Sequence, residues 1–541
     1  MAAAQKDIGA PSRTNILMIC KEGEAIDPVT LKLLDKSGSY EEYDHYIDAI
    51  FHDLTNFCAG KQPCKVLFFF HGGLNGSEDS LTRAVDLTET IKAQGIYPIF
   101  VNWNSSLVST WWDHVAHVHK GLWQGDRYVA AVPYFMLVDE AKSIAEAPTA
   151  WAAEVRHTFP HEQGAGATAL QTYQTLVNEH TPNSTNTLVL NNLMDGSLLA
   201  DDRTRWEIRR AKAKLLYSWW SKLLSPPLII QAAGTGAWDM MQRRTAMLFR
   251  TEAEFQGISP EAVAASRTDT SAPAEQKEAV ALARQYDTGA ALAHFISRFQ
   301  EEFLPRFCGA GQPTPEAAPA AEEVKQATPK EHEEGAVACE QRLQVTLVGH
   351  SMGTIIVDRL LRYAPNFKVK NIVFMAAAST VEDYRDTVDA YLDRHKHDMN
   401  GGTNMYHLVL HPLAEITEQG FLDLSPRGSL LVWIDNYFTD PPTPLGRRVG
   451  RFPNVVPELR FAGRDTRSHV YLKVFRAGQG LRCWSPQRHG DFGYFPFWDE
   501  RFWSPAEPTD KTSSIRRRDG AGCPAEEHAE KGKTSVSAGG S

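Results

Sequence analysis

The sequence predicts an α/β fold with a mostly parallel sheet flanked by helices, and three observations carry that prediction. Short apolar runs such as KVLFFF (65–70) are too continuous for a strand with one wet face and suit strands buried on both faces. Between such runs lie segments whose apolar residues recur at helical spacing. The two kinds alternate, which is the pattern of β-α-β units.

The elements follow in chain order. NILMIC (15–20) reads as a short buried strand. Residues 43–57 place Ile47, Ile50, Phe51 and Leu54 on one helical face. KVLFFF is the next strand and ends at His71-Gly72-Gly73. Residues 79–94 resume helical spacing through Leu81, Val85 and Ile91 and stop at Gly95; YPIFVNW (97–103) is again a strand. The alternation then lapses. It returns with a strand at 343–348, a helix at 352–364, the strand NIVFMAA (371–377), a helical stretch at about 381–394, a strand at 404–410, a helix at about 428–438 and a last strand at 469–475.

This divides the chain into a tail (1–14), a first core segment (15–103), a mainly helical insertion (104–285), a helix with a flexible linker (286–342), a second core segment (343–504) and a disordered tail (505–541). The helix near 288–305 carries Leu292, Phe295, Ile296, Phe299 and Phe303 on one face and reads as part of the core. The stretch 308–338 is rich in Ala, Pro and Glu, as linkers are. The final segment is polar and poor in apolar residues.

Composition narrows the function. The 541 residues are 43% apolar and 23% charged, the balance of a globular protein. A net charge of −10 argues against nucleic-acid partners held by bulk electrostatics. The seven cysteines are odd in number, irregular in spacing and form no CxxC, which suits a reducing compartment better than a disulfide framework. With no secretory signal pattern and no long apolar stretch, a cytoplasmic location is expected.

One stretch carries chemistry: VTLVGHSMGTIIV at 345–357. A serine hydroxyl is a weak nucleophile near neutral pH and needs a base, a projecting backbone and donors for the developing oxyanion. Gly349-His350-Ser351-Met352-Gly353, between a strand and a helix, supplies the projection, because glycines two positions either side relieve a tight turn. The helix that follows points free N–H groups at the site. Upstream, His71-Gly72-Gly73 follows a strand and offers backbone donors.

These features together resemble the α/β-hydrolase family: HGG after one strand, GHSMG after a later one, and a histidine near the end. The resemblance covers about 15–103 and 343–495. It implies a Ser-acid-His order, with Ser351 as nucleophile and oxyanion donors at Met352 and at Gly73 or Leu74. The base would be His489 in LRCWSPQRHGDFGYF, after the last strand. His407, His411 and His469 come too early. The acid belongs after the strand at 404–410; Glu415 has the expected reach, and Asp423 and Asp435 are its rivals. One departure is that the large insertion precedes the nucleophile strand, whereas family members usually carry their cap later.

The resemblance implies a serine esterase or lipase-like hydrolase that needs no cofactor. Its substrate would be a small hydrophobic ester or a lipid-like molecule. The same triad serves acyltransferases, thioesterases and peptidases, and a non-catalytic binding protein on this scaffold is a further alternative. The segment 203–223, with Trp206, Trp219 and Trp220 among arginines and lysines, can form a cap or a peripheral membrane contact. Asp113, His114, His117 and His119 superficially suggest a metal site but read as a polar helix face, and no HExxH pattern occurs.

Overall fold

The computed structural model describes residues 15–35, 40–73, 76–119, 122–158, 232–267, 277–285, 288–309, 341–396, 402–418, 427–438, 443–459, 469–475, 482–503 and 515–521, with single residues at 206, 209, 210, 213, 216, 339 and 523. The strands are β1 (Ile16–Ile19), β2 (Ala25–Ile26), β3 (Cys64–Phe70), β4 (Ile96–Trp103), β5 (Val118–His119), β6 (Leu122–Trp123), β7 (Leu343–His350), β8 (Asn371–Met375), β9 (Asn404–Val409) and β10 (Val470–Val474). Eight of them form one sheet in the order β10-β9-β8-β7-β3-β4-β1-β2. Every pairing in it is parallel except β1 with β2. β5 and β6 make a separate two-stranded hairpin.

Apolar continuity explains the sheet's centre. Val66, Leu67, Phe68, Phe69 and Phe70 are all buried, as are Leu347 and Val348 of β7, because helices cover both faces. The helix Glu41–Cys58 buries Ile47, Ile50, Phe51 and Leu54, the stripe its spacing predicts. The helix Ala291–Arg298 continues through a π turn, Phe299–Phe303. Its face packs aromatic rings on the sheet: Phe299 meets Phe68 edge-on at 5.7 Å between centroids, and Phe303 lies 5.1 Å from Phe51. Each fully buried phenylalanine contributes about 1.5–3 kcal/mol of transfer free energy. The stretch Ala291–Phe303 thus belongs to the core, as its spacing predicts.

Topology marks a switch point. From β3 the chain passes to β4 on one side, while β7, β8, β9 and β10 run outward on the other. The direction of winding switches between β3 and β7, and crevices open at the carboxyl ends of strands at such a point. Phe70 pairs in register with Gly349, so the segments leaving β3 and β7 emerge side by side.

Between β4 and β7 the described elements are mainly helical, including Leu107–Ala116, Val132–Thr158 and Ala232–Met247. Ala237, Trp238 and Met241 join the main hydrophobic core. The stretches expected as single helices at 381–394 and 428–438 are each interrupted by a π turn, at Arg385–Asp389 and Ile434–Phe438. No described helix is long and apolar enough to cross a membrane.

Two expectations are corrected. Six of the seven cysteines pair, as Cys58–Cys64, Cys308–Cys339 and Cys483–Cys523. The irregular spacing hid this because a disulfide needs closeness in space, not a repeat in sequence. The segment expected as a disordered tail also differs: Ile515–Ala521 and Cys523 pack on the body, and Arg517 is buried. The rest of 505–541, the tail 1–14 and most of the stretch 308–338 lie outside the described residues, as do Trp219 and Trp220.

Candidate functional site

Ser351 stands where β7 ends and the helix Gly353–Tyr363 begins. Its φ is +52°, in the left-handed region that side-chain-bearing residues avoid. The surroundings over-determine this conformation. The Ser351 N–H donates to Met375 O at 2.9 Å, and its carbonyl accepts from the Ala378 N–H at 3.1 Å and from Thr354 Oγ1 at 2.7 Å. The flanking glycines are steric requirements. A Cβ at Gly353 would lie 2.0 Å from Phe70 O, and one at Gly349 would lie 2.9 Å from the Thr354 backbone.

His489 reaches this serine from 138 residues away. Its Nε2 lies 2.8 Å from Ser351 Oγ, and both residues are buried. Burial, with a smaller effect of His350, holds the His489 imidazole well below the usual histidine range. A neutral ring can accept the serine proton at Nε2. Its hydrogen is then on Nδ1, and that atom has no hydrogen-bond partner among the described residues. The main chain of His489 is gripped from both sides instead. Its N–H donates to Glu418 Oε2 at 2.9 Å, and its carbonyl accepts from His350 Nε2 at 3.1 Å.

The segment after β3 approaches the serine closely. A Cβ on Gly72 would lie 3.0 Å from Ser351 Cβ and 3.1 Å from His350 Nδ1; one on Gly73 would lie 2.7 Å from the Met352 sulfur. His71 fixes the peptide between these glycines. Its Nε2 accepts from the Trp103 N–H at 3.1 Å, so Nδ1 carries the hydrogen and donates to Gly72 O at 2.8 Å. Burial lowers the His71 pKa to about 4, which keeps this tautomer neutral. In a planar trans peptide the carbonyl and the next N–H point opposite ways, so anchoring Gly72 O also orients the Gly73 N–H. Met352 precedes the first turn of the following helix, where N–H groups have no intrahelical acceptor. Leu74 lies outside the described residues.

The carboxylates divide differently from the expectation. Glu415 is buried and faces away into an ion network: its Oε1 accepts from Arg451 Nε at 3.1 Å and from Ser429 Oγ at 3.3 Å. Asp435 completes that network, accepting from Arg451 Nη1 at 2.9 Å, the Arg448 N–H at 2.9 Å and Asn454 Nδ2 at 3.2 Å. Asp423 lies outside the described residues. Glu418, three residues past Glu415, is the carboxylate in contact with His489. Burial pushes its pKa up to about 7, partly offset by the His489 N–H it accepts. Sequence reasoning stopped at Glu415 by loop length. The available signal was the next acidic residue, three positions on and just past the end of the short helix Pro412–Thr417.

The histidine-rich stretch at 113–119 is used otherwise. Asp113 pairs with Arg244 at 2.6 Å and Lys21 at 3.1 Å, while His117 Nδ1 lies 2.9 Å from Asp113 and His114 Nε2 3.0 Å from Asp139. Among the described residues no group of three or more His, Cys, Asp or Glu could hold a metal ion. The arrangement at Ser351 can move a proton from a hydroxyl to an imidazole beside oriented backbone donors. Comparison with protein-family models, with curated proteins and with solved structures finds no match to this chain.

Proposed function

We propose that this protein is a serine hydrolase of α/β-hydrolase fold that cleaves carboxylic esters through an acyl-enzyme on Ser351. One observation carries the reading: His489 Nε2 sits 2.8 Å from the Oγ of a serine held at positive φ at the end of a central parallel strand. Evolution of a mere turn would favour glycine at that φ; a strained serine facing a buried neutral imidazole is the arrangement nucleophilic catalysis requires.

In this mechanism Ser351 Oγ attacks the acyl carbon while His489 Nε2 takes its proton. The N–H groups of Met352 and Gly73 hold the oxyanion. His489 then protonates the leaving alcohol, and water, deprotonated by the same imidazole, releases the acid and restores Ser351. The acid of the triad is Glu418. Its carboxyl already holds the main chain of His489, the residue whose Nδ1 has no hydrogen-bond partner among the described residues. The helical elements between β4 and β7 form the cover of the site, and the Met241 and Met352 side chains that meet near Gly73 favour an apolar acyl group over a charged one. Three disulfides favour an oxidising compartment over the cytoplasm.

The test is labelling with a fluorophosphonate, the adduct mapped by mass spectrometry and Ser351→Ala as control. An adduct on Ser351 is expected. A folded protein that takes no label, with small probes as well as large, would falsify the enzyme reading and leave a binding protein on this scaffold.

A further inference from the structure

His489 lies on neither a strand nor a long helix. It opens a short 3-10 turn, His489–Tyr494, in the chain beyond β10. A general base on such a turn must be held to a fraction of an ångström, and besides the Glu418 and His350 bonds to His489 itself, the turn around it is bonded to a segment remote in sequence.

Asp491 is the centre of this support and is buried. Its Oδ2 accepts from the N–H groups of Gln487 and Arg488, both at 3.1 Å, and so shapes the main chain leading into His489. Its Oδ1 accepts from Arg482 Nη2 at 3.2 Å and from Arg517 Nη1. Arg517 is itself buried, is steadied by Asp519 through Nη2 at 2.8 Å, and lies over the Tyr494 ring at 4.4 Å. The main chain follows the same path. Arg517 N–H donates to Cys483 O at 2.8 Å, Arg518 N–H to Tyr494 O at 2.9 Å, and Arg518 Nη2 to Gly493 O at 2.7 Å. Cys483–Cys523 closes the segment covalently onto the start of the loop. Outside the segment itself, the hydrogen bonds described for Arg517 and Arg518 all land on residues 483–494.

We infer that Ile515–Ala521, tethered through Cys523, is a strap that positions the catalytic base, and that Arg517 is a positioning residue acting on His489 through Asp491. The inference rests on the Ser351–His489 reading above. A buried guanidinium shared between Asp491 and Asp519 does more than fill space: it fixes the carboxylate that caps the two peptides preceding the base. Without it, Asp491 is a buried carboxylate short of a cation, the cap loosens, and His489 Nε2 drifts from Ser351 Oγ. Displacements of about 1 Å in such pairs cost about a hundredfold in rate.

The experiment compares Arg517→Ala, Arg517→Lys, Asp491→Asn and the Arg517→Ala/Asp491→Asn pair with the parent protein. The readouts are kcat and KM on a soluble p-nitrophenyl ester, the rate of fluorophosphonate labelling at Ser351 and the melting temperature. Expected are a fall in kcat of about ten- to a hundredfold in Arg517→Ala with KM within about twofold, and labelling that slows in step. Arg517→Lys should recover part of the loss, and Arg517→Ala should add little once Asp491 is neutral, because the two act as one unit. A lowered melting temperature with kcat and labelling at parental values would reduce the strap to a stability clip and overturn the inference. Should Arg517→Ala fail to fold, Cys523→Ser frees the strap without leaving a buried charge unpaired and is read the same way. If the parent protein takes no label, the hydrolase reading fails by itself. Hydrogen exchange at the amides of 487–494 then decides the strap: unchanged protection in the variant overturns it, and lost protection supports it.

Discussion

Glu415 and Glu418 sit three residues apart, yet their substitutions should have opposite effects. Glu418→Gln keeps an oxygen that can accept the His489 N–H, so the loop stays in place. What it removes is negative charge beside an imidazole that becomes positive during the reaction. At roughly 4 Å and an effective dielectric constant of about 20, a fully ionised Glu418 contributes about 4 kcal/mol, close to a thousandfold in rate, and the full effect is reached only above about pH 7, where the buried carboxyl has lost its proton. Glu415→Gln removes one of two carboxylates on Arg451, but Asp435 stays at 2.9 Å from the same guanidinium. The loss should be about 1–3 kcal/mol of stability, with kcat changed by no more than a few-fold. The assay is kcat on a soluble ester with a thermal melt of each variant. Glu418→Gln should also lower the apparent pKa on the acid side of the kcat/KM profile, because the imidazolium loses its partner and the neutral base persists to lower pH. A Glu415→Gln protein that melts normally but does not turn over, beside a fully active Glu418→Gln, would refute the assignment and return the acid to Glu415.

Two further outcomes follow from the geometry. Gly353→Ala would place a Cβ 2.0 Å from the carbonyl oxygen of Phe70, backbone that cannot yield, so the elbow must distort; expect both a melting temperature several degrees lower and loss of turnover, measured together on purified protein. Asp358, on the buried face of the helix Gly353–Tyr363 with Thr387 Oγ1 at 3.3 Å from its Oδ1, has its pKa raised by burial from 3.8 to about 7. The folded state therefore binds the proton more tightly, and this group's contribution is complete below about pH 4 and lost as pH rises through about 7, roughly 4 kcal/mol at most. Asp358→Asn should flatten that slope; denaturation midpoints at pH 5 and pH 8 that shift as much in the variant as in the parent would show that other groups set it.

Much of the sheet was legible because its strands are buried on both faces. KVLFFF, YPIFVNW and VTLVG are apolar without alternation, and each became a strand within a residue or two of its expected bounds. β2, two residues long, has no run to read. The π turns at Arg385–Asp389 and Ile434–Phe438 leave helical spacing nearly intact, so periodicity cannot reveal them. The cysteine pairs were missed for a related reason: Cys308 and Cys339 are 31 residues apart, and nothing local marks either as a partner.

The site divides along the same line between local and assembled features. Ser351 was readable because its requirements are met by its own neighbours: Gly349 and Gly353 sit where any Cβ would strike the backbone. His489, expected from its order after the last strand, lies with Nε2 2.8 Å from Ser351 Oγ, and that order is one long-range fact. The supporting groups needed several such facts at once. Glu415 has a suitable chain distance, but Arg451, 36 residues on, draws its carboxylate away, whereas Glu418 is drawn to the main chain of His489. His350 looked like a filler of the Gly-x-Ser-x-Gly pattern, yet its Nε2 holds the carbonyl of His489. His71 looked like the first letter of a glycine turn, yet it anchors the carbonyl of Gly72, which lies close to Ser351. In the described bonds Glu418, His350 and His71 each hold the backbone of another residue, and backbone groups carry no identity that a sequence can display.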